Sequence, residues 1–459
     1  MDNLDTLGLA DLAIRYRDGT LDPLTVAAWC ADNHARKGEA LGAYKSWNGE
    51  NFQPQAKLAT DAFRLGYDLG PMQGIPFSVK DLYGVPGLET FAGSPNALPA
   101  EWERAGPVVS QLLGQLAPVS GKTHAVEFAY GGLGTNPHWA TPKNPWCGAE
   151  HRVPGGSSSG AGVSLIEGSA LLALGTDTAG SVRVPASMTG TVGLKVTHGR
   201  WSLDGIVPLC PSFDTPGLLT RTVADAVWAF ETMDAAQVPR LASVRGLRIG
   251  VPQQFFWDDC DPGITERVTE ALAELEKAGA QLVGLEIAHA QETFGYFREG
   301  GLTPPELYAF LQRDLPAWMN TLDPNVRWRL EAGKAAPAWE YLQRRDRFQA
   351  IGRIAATALQ SVDIIAMPSV AISPPSIDAL APEGEYPRLN MKALRNTCIA
   401  NLLDLCSVTM PVGLDSAAMP TGLMLMAAPG QDARMLGCAL VMESVMGTGL
   451  QRLGKAPLG

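Results

Sequence analysis

One stretch of the chain constrains its fold more than any other: residues 154–185, which read PGGSSSGAGVSLIEGSALLALGTDTAGSVRVP. A loop of small residues stands at each end, with Ser157, Ser158 and Ser159 in the first and Ser181 in the second. Small side chains let backbone N–H groups approach a ligand closely, as a site for a developing oxyanion or a phosphate requires. The segment between the loops is too short and interrupted to span a bilayer, so we predict a buried helix carrying a serine loop at each end.

The length and charge of the chain limit its class. It has 459 residues, of which 46% are hydrophobic, and no linker-like break divides it, so we predict one large domain over residues 1–459. A formal net charge of −11 excludes nucleic acid and anionic membranes as expected partners, because no basic patch is available to release counterions. The chain opens without a basic segment followed by an apolar run. We therefore expect a cytoplasmic protein that binds neither membrane nor nucleic acid.

Strand-like and helical segments alternate along the chain. Apolar segments typical of buried strands lie at 247–251, 363–368, 407–412 and 423–426, with helical patterns between them. This alternation predicts an α/β fold with a mixed, mostly parallel sheet covered by helices on both faces. Residues 290–360 are helical in pattern, polar and rich in aromatics. We expect this block to pack over a substrate pocket.

Metal ligands are not evident in the sequence. The seven cysteines are scattered and never spaced as CxxC, so we expect reduced and mostly buried thiols. None of the six histidines belongs to an HExxH motif. We predict no metal and no cofactor.

Lys80 is the first residue with unusual chemistry. It lies in the run Gly-Ile-Pro-Phe-Ser-Val-Lys-Asp-Leu-Tyr, whose apolar residues indicate a buried strand. A lysine inside such a strand is costly unless it is paired or neutral. The alternative is a lysine at the strand end whose ammonium reaches the surface.

Two short motifs suggest other functions. The triplet Gly121-Lys122-Thr123 resembles part of a phosphate-binding loop, but Leu116 stands where that motif requires glycine. Residues 156–160 satisfy the G-x-S-x-G pattern of a nucleophile elbow centred on Ser158. An elbow needs a strand directly before it, whereas a loop-like segment precedes this one, so we disfavour that interpretation.

A different arrangement accounts for Lys80 and both serine loops. The segments GIPFSVKD, PGGSSSGAG, LALGTDTAGSVRVPA and GTVGLKVTHGRWS resemble the amidase signature family, and Ser157 and Ser181 lie 24 residues apart. The likeness covers nearly the whole chain, with residues 70–230 as its core. It implies Ser181 as the nucleophile, Ser157 as a bridging serine that follows a cis peptide bond, and Lys80 as the base.

This triad makes physical sense. A serine hydroxyl is a poor nucleophile until a base removes its proton, and lysine can be that base only when neutral. Burial lowers a lysine pKa from about 10.4 toward neutrality, because desolvation penalises the ammonium form. The apolar strand around Lys80 is therefore what the mechanism requires.

The resemblance also assigns residues around the triad. Backbone N–H groups of Thr178, Ala179 and Gly180, together with that of Ser181, would form an oxyanion hole in which an acyl-enzyme intermediate is made and hydrolysed. The family usually has glycine where this chain has Ala179, and alanine disfavours a positive φ. Asp177 and Arg183 match positions that brace the loop.

The substrate follows less directly. By their place in the family, Tyr130, Gly131 and Gly132 would line the acyl side of the pocket. No arginine stands out in the pocket-forming loops as a carboxylate clamp, apart from Arg152 just before the first serine loop. We therefore expect an amidase acting on a small neutral or aromatic amide, an anilide or a carbamate.

Several alternatives remain open. They are a hydrolase of ureido acids of the allophanate or carboxybiuret type, the glutamine-hydrolysing subunit of a tRNA-dependent amidotransferase, and a catalytically silent binding protein built on the fold. An intact Lys80, Ser157 and Ser181 would be unexplained in a silent protein. The small-molecule substrate is the expected partner, and a homodimer is possible.

Overall fold

The fold is seen in a computed structural model that describes residues 4–334 and 336–458. Within these residues the strands are β1 (Tyr44–Trp47), β2 (Phe77–Lys80), β3 (Val119–Thr123), β4 (Leu172–Asp177), β5 (Val192–Lys195), β6 (Thr215–Thr220), β7 (Arg248–Pro252), β8 (Gln281–Leu285), β9 (Ile364–Pro368), β10 (Cys406–Leu414) and β11 (Pro420–Ala427). The strands predicted near residues 250, 365, 410 and 425 are confirmed.

Helices connect and flank these strands. They are α1 (Leu9–Asp18), α2 (Pro23–Leu41), α3 (Gly49–Arg64), α4 (Pro107–Leu113), α5 (Ser159–Glu167), α6 (Arg183–Thr189), α7 (Val223–Met233), α8 (Ile264–Lys277), α9 (Ala290–Arg298), α10 (Thr303–Asp314), α11 (Pro324–Lys334), α12 (Ala338–Ala358), α13 (Glu385–Leu394), α14 (Cys398–Leu402), α15 (Asp432–Met446) and α16 (Gly449–Leu453). The described part of residues 290–360 is mainly helical, as predicted, since it contains α9, α10, α11 and α12. None of the described helices is both long and apolar enough to cross a membrane.

All eleven strands belong to one sheet, in the order β1-β3-β2-β4-β6-β5-β10-β11-β9-β7-β8. The α/β class and the mixed sheet are confirmed, but the expectation of a mostly parallel sheet is wrong. Of the ten pairings among the described strands, six are antiparallel: β1 with β3, β4 with β6, β6 with β5, β5 with β10, β10 with β11, and β11 with β9. Alternating strands and helices predict crossovers, yet consecutive strands such as β10 and β11 pair through a short turn.

The sheet brings the Lys80 strand beside the second serine loop. β2 and β4 are parallel neighbours, with Val79 opposite Leu174. Both strands run in the same direction, so the end of β2 at Lys80 meets the end of β4 at Asp177. The loop that carries Ser181 follows directly.

The segment between the serine loops differs from its prediction. A single buried helix is expected there, whereas the structure has helix α5 and then strand β4. Gly168 ends the helix in a left-handed conformation, with φ of +83°. Both elements are buried, and their shared apolar composition explains why the sequence pattern does not separate them.

Candidate active site

Lys80 is fully buried at the end of β2. Its Nζ donates to Ser157 Oγ at 2.7 Å and to Thr176 Oγ1 at 2.8 Å. Among the described residues no carboxylate forms an ion pair with it. The alternative in which the ammonium reaches the surface is therefore excluded.

The surroundings of Lys80 favour its neutral form. Burial lowers the pKa of the lysine to about 7, while the carboxylates of Asp214 and Asp177 oppose that shift. Near pH 7 a substantial fraction of the amine is thus free to accept a proton. The two hydroxyls that face Nζ can each serve as donor or acceptor, so neither protonation state is left without partners.

The first serine loop places three serines in different surroundings. The Gly156–Ser157 peptide bond is cis, as the resemblance implies, and Ser157 Oγ faces Lys80. Ser158 turns away: its hydroxyl donates to the carbonyl of Thr176 at 3.3 Å, and its N–H donates to the carbonyl of Ser181 at 3.2 Å. Ser158 is fully buried and a loop, not a strand, leads directly into it, so the elbow interpretation fails.

A buried ion pair shapes the second loop. Arg183 Nη2 donates to Asp177 Oδ1 at 2.9 Å and Arg183 Nε donates to Oδ2 at 3.1 Å, with both side chains excluded from solvent. Burial alone would raise the pKa of Asp177, but Arg183 holds it below its usual range. Asp177 also accepts the N–H groups of Gly180 and Val182. The predicted bracing pair is confirmed.

The backbone donors of this loop divide into two groups. The N–H of Gly180 is directed to Asp177, at 2.8 Å. The N–H groups of Thr178, Ala179 and Ser181 have no hydrogen-bond partner among the described residues. The positive φ, +128°, falls on Gly180 and not on Ala179, so the alanine does not disturb the loop. The oxyanion hole stays a prediction, with Thr178, Ala179 and Ser181 as its available donors.

Asp214 is a buried residue that sequence reasoning missed. Its Oδ1 accepts Thr178 Oγ1 at 2.5 Å, and its Oδ2 accepts the N–H groups of Leu209 and Cys210 at 2.9 and 3.0 Å. Asp214 thus links the loop that carries Thr178 and Ser181 to the segment that precedes β6. The only sequence signal is its place in the segment PSFDTPG, which shares the family likeness.

Ser181 opens onto a cavity of about 460 Å³. Its floor consists of Ala129, Tyr130, Gly131, Thr178, Ala179, Ser181 and Leu209, and helix α13 adds Tyr386, Asn390 and Leu394. The expected positions of Tyr130 and Gly131 agree with this wall. Gly132 is a correction, because it lies behind the wall, where its N–H donates to Asn390 Oδ1 at 2.7 Å.

The helical block forms the roof of the cavity. Its lining residues run from the end of α9 to the first turns of α12, and include Phe297, Glu299, Thr303, Trp328, Glu340 and three arginines. These arginines are Arg298, Arg329 and Arg344, and sequence reasoning missed all of them. Their helices carry no motif that marks them as pocket-lining, so only the fold brings them to the site.

Arg344 and Arg329 differ in how their charge is balanced. Arg344 pairs with Glu340 at 2.5 Å and with Glu299 at 3.4 Å. Arg329 stacks on Tyr130, with 4.1 Å from its guanidinium carbon to the ring centroid, and donates to the Tyr130 carbonyl. No carboxylate among the described residues pairs with Arg329. Its positive charge is therefore available to an anionic ligand.

Arg152 does not take part in this cavity. Its Nε pairs with Glu150 at 2.7 Å and its Nη1 donates to the carbonyl of Pro374 at 2.8 Å, outside the cavity wall. No group of three histidine, cysteine, aspartate or glutamate side chains in the described part of the chain is placed to hold a metal ion.

Comparison with known proteins decides the family. The profile described as Amidase matches residues 30–436. This chain belongs to the amidase family. A 2-amino-5-chloromuconic acid deaminase from Comamonas testosteroni is 50% identical over 460 residues, which cover 99% of this chain and 100% of that one. An amidase from Pseudomonas putida is 33% identical, covering 90% of each chain.

The solved structures agree with the fold of this amidase. A crystal structure described as an amidase matches with a TM-score of 0.87 and 28% identity, covering 96% of this chain and 100% of the other. The family resemblance inferred from the sequence is thus confirmed. The protein is an amidohydrolase that acts on C–N bonds.

Proposed function

We propose that this amidase hydrolyses a C–N bond of a small acidic compound and releases ammonia, with Ser181 as nucleophile, Ser157 as proton relay and Lys80 as base. One observation carries the proposal: the buried Nζ of Lys80 lies 2.7 Å from Ser157 Oγ, below a cavity whose floor contains Ser181. A lysine with a pKa of about 7 is suited to receive and return a proton near neutral pH.

In the first half of the reaction, Ser181 Oγ attacks the trigonal carbon that bears nitrogen. Its proton passes to Ser157, whose own proton passes to Lys80. Free N–H groups in the loop from Thr178 to Ser181 stabilise negative charge that develops on an amide oxygen. Protons return through Ser157 to the nitrogen, which leaves as ammonia. With an amide substrate the product of this half is an acyl-enzyme on Ser181.

In the second half, water repeats the attack on the same carbon. Water gives a proton to Ser157, whose own proton passes to Lys80. The bond between the carbon and Ser181 Oγ then breaks, and Ser181 recovers its proton through Ser157. The sum for an amide is RCONH₂ + H₂O → RCOOH + NH₃. For an amino group on an unsaturated carbon, the imine tautomer presents an equivalent trigonal carbon to Ser181. Ammonia then leaves this adduct together with a proton from the neighbouring carbon, so that an enol ether remains on Ser181. Water adds to the enol ether, the neighbouring carbon regains its proton, and the serine is released, with the sum R₂C=NH + H₂O → R₂C=O + NH₃.

The roof of the cavity indicates the charge of the substrate. Arg329 brings an unpaired guanidinium to the wall, and guanidinium groups bind carboxylates in two-pronged fashion. The relative that is 50% identical over the whole chain is named for a substrate with carboxylic acid groups, 2-amino-5-chloromuconic acid. We therefore propose an aminomuconic type of dicarboxylate as substrate. The sequence-based expectation of a neutral amide, anilide or carbamate assumes that no arginine lines the pocket. Arg329 lines it, so that assumption does not hold.

The test is ammonia release by the purified chain from freshly prepared 2-aminomuconic acid and its 5-chloro derivative. Indole-3-acetamide, an anilide, a carbamate, allophanate and glutamine serve as comparison substrates. We expect kcat/KM for an aminomuconic acid to exceed that for each neutral substrate by at least roughly 10²-fold, because a charged bidentate contact is lost in neutral substrates. A preference for a neutral amide would overturn the proposed substrate.

The nucleophile is tested separately. Ser181→Ala should abolish ammonia release, whereas Ser159→Ala is the matched control, because Ser159 Oγ is buried nearby with no hydrogen-bond partner within the described residues. Labelling with a sulfonyl fluoride, mapped by peptide mass spectrometry, should modify Ser181. Modification of Ser158, or full turnover by Ser181→Ala, would exclude the proposed triad.

A further inference from the structure

A second cavity of about 400 Å³ adjoins the first. Its walls include Leu82, Trp102, Leu203, Ile206, Val207 and Phe310, so most of its inner surface is apolar. Ala129 and Leu209 line both cavities, which are therefore separated by a partition of side chains and not by a layer of secondary structure.

One side chain, that of Thr176, connects the second cavity to the base. Thr176 lines the cavity, and Thr176 Oγ1 lies 2.8 Å from Lys80 Nζ. Asp214, which accepts the hydroxyl of Thr178, lines it as well. Neither Tyr130 nor Ser181 belongs to its wall, so an acid bound in the first cavity leaves the second one empty.

The charges of the two cavities are opposite. The wall of the first has three arginines and two glutamates, an excess of one positive charge. The wall of the second has four carboxyl groups, from Glu101, Asp204, Asp214 and Asp314, but only the two arginines Arg104 and Arg313. Two ion pairs, Arg104–Asp204 and Arg313–Asp314, are exposed at its rim. Such fields attract the acid to one cavity and a cation to the other.

We propose that the second cavity is a separate route for small molecules, through which water enters and ammonia leaves while the acidic part of the substrate occupies the first cavity. The inference rests on the proposed function, since it assigns places to the two products of that reaction. Ammonia that gains a proton at the carboxyl-rich rim becomes ammonium and is drawn outward. The acid is repelled by the same rim, so the two products do not compete for one exit.

The physical need for this route comes from the second half-reaction. After ammonia has left, the substrate carbon is bonded to Ser181 and the rest of the acid fills the cavity above it. Water must then reach that carbon next to Ser157 and Lys80. The partition at Ala129 and Leu209, which line both cavities, offers an approach that avoids the bound acid.

Cyanate provides a probe of the route that does not depend on turnover. Its acid form, HN=C=O, is as small as the proposed solutes and adds the N–H of a neutral amine across its C=N bond, which converts Lys80 to a carbamoyl derivative. We expect Lys80 to be modified even when a sulfonyl fluoride on Ser181 fills the first cavity. Lys122 is an internal control, because it is buried, its Nζ lies 3.1 Å from Asp81 Oδ1, and it lines neither cavity.

Three tryptophan variants separate the two cavities. Leu203→Trp, in the second cavity only, should slow modification of Lys80 at least 10-fold and slow ammonia release by a similar factor. Met391→Trp, in the first cavity only, should raise KM but change the modification rate less than 2-fold. Leu241→Trp, exposed and outside both walls, controls for the added indole. Leu203→Phe replaces Leu203→Trp if the latter lowers the melting temperature sharply.

The outcomes are distinguishable. Protection of Lys80 by the Ser181 adduct, no modification of Lys80 in the unaltered protein, or equal rates in Leu203→Trp and Leu241→Trp would each overturn the route. Ammonia release that survives Ser181→Ala would instead overturn the proposed function, whatever the cyanate result.

Discussion

The floor and the roof of the substrate cavity are built in different ways. The floor rests on the Asp177–Arg183 pair, with both side chains excluded from solvent, and on Lys80, which is equally buried. The roof is held by the pairs of Arg344, whose partner Glu299 is 65% exposed, and it presents Trp328 to solvent at 66%. The groups proposed to break the bond therefore lie in a buried region, whereas those proposed to choose the substrate lie on solvated helices.

The largest effect should follow from removing the base in the floor. Lys80→Met keeps the length of the side chain without its amine, so we expect ammonia release to fall by roughly 10³-fold or more. The same change should raise the melting temperature at pH 7, because a buried amine with a lowered pKa destabilises the fold below its usual pKa. Differential scanning fluorimetry and an ammonia assay measure both. An active Lys80→Met variant would show that the floor is not the catalytic region.

The next largest effect should be on the free energy of unfolding, which we expect to fall more when the floor is altered than when the roof is altered. Arg183→Met leaves Asp177 as an unpaired buried carboxylate, so we expect a loss of about 3–5 kcal/mol in the free energy of unfolding. Arg344→Met breaks half-exposed pairs in the roof and should change that free energy by less than about 1 kcal/mol. Urea titration of both variants gives the comparison. Similar losses would mean that the roof is as rigidly built as the floor.

The same division explains how much the sequence could predict. Each feature of the floor can be recognised within a short stretch of sequence. These features are the two serine loops, the apolar run around Lys80, and Asp177 and Arg183 beside the second loop. The sequence predicts all of them. The roof depends on how helices α9 to α12 are oriented over the sheet. Amphipathic patterns do not specify that orientation, so Arg329 could not be assigned to the cavity from sequence.

Two errors in the fold have a related physical cause. The helix and strand between the serine loops are both fully buried, and a continuous apolar run does not reveal which period it follows. Strand direction is set by which distant segments pair, as β4 does with β6, and the alternation of elements indicates only that a sheet exists. The candidate Arg152 was close to the serine loop in sequence but points away from it in space.

The pH dependence of turnover should be determined by residues of the floor and not by those of the roof. Because Lys80 must be neutral to accept a proton and its pKa lies near 7, we expect kcat/KM to rise about tenfold per pH unit below 7 and to level off above it. Asp214→Asn removes the carboxylate that most strongly favours the ammonium form, so the midpoint should move to lower pH. Rate profiles from pH 5 to 9 test this. An unchanged midpoint in Asp214→Asn would assign the titration to another group.

Substrate choice should respond to the roof alone. Arg329→Gln should raise KM for an aminomuconic acid about tenfold or more and leave KM for its dimethyl ester nearly unchanged, because only the acid uses the positive charge. Arg329→Lys should recover part of the loss. Arg327→Gln is the matched control on the same helix, since Arg327 donates to the carbonyl of Asn320 and is absent from the wall. Equal losses for acid and ester would mean that Arg329 only supports the Tyr130 loop.

The smallest effect should come from the contact between Glu127 and Asp323, which joins the floor to the roof. Glu127 is buried below Tyr130, and its Oε2 accepts the N–H of Asp323, which precedes α11, at 2.6 Å. Burial raises the pKa of Glu127 to about 8; the N–H of Asp323 and the charge of Arg327 oppose this shift, and the carboxylate of Asp323 adds to it. His138 Nε2 lies 3.1 Å from Oε1.

Glu127→Gln keeps the acceptor for Asp323 and cannot ionise. A carboxyl whose pKa is raised in the folded state binds more protons there than in the unfolded chain, so the stability it contributes is lost as pH rises from about 4.3 toward 8. The melting temperature of Glu127→Gln relative to the unaltered protein should therefore increase across that range and then stay constant. Glu292→Gln, at a half-exposed pair with Arg347, should show no such increase. A Glu127→Gln difference that is independent of pH would show that burial does not hold the Glu127 carboxyl in its neutral form.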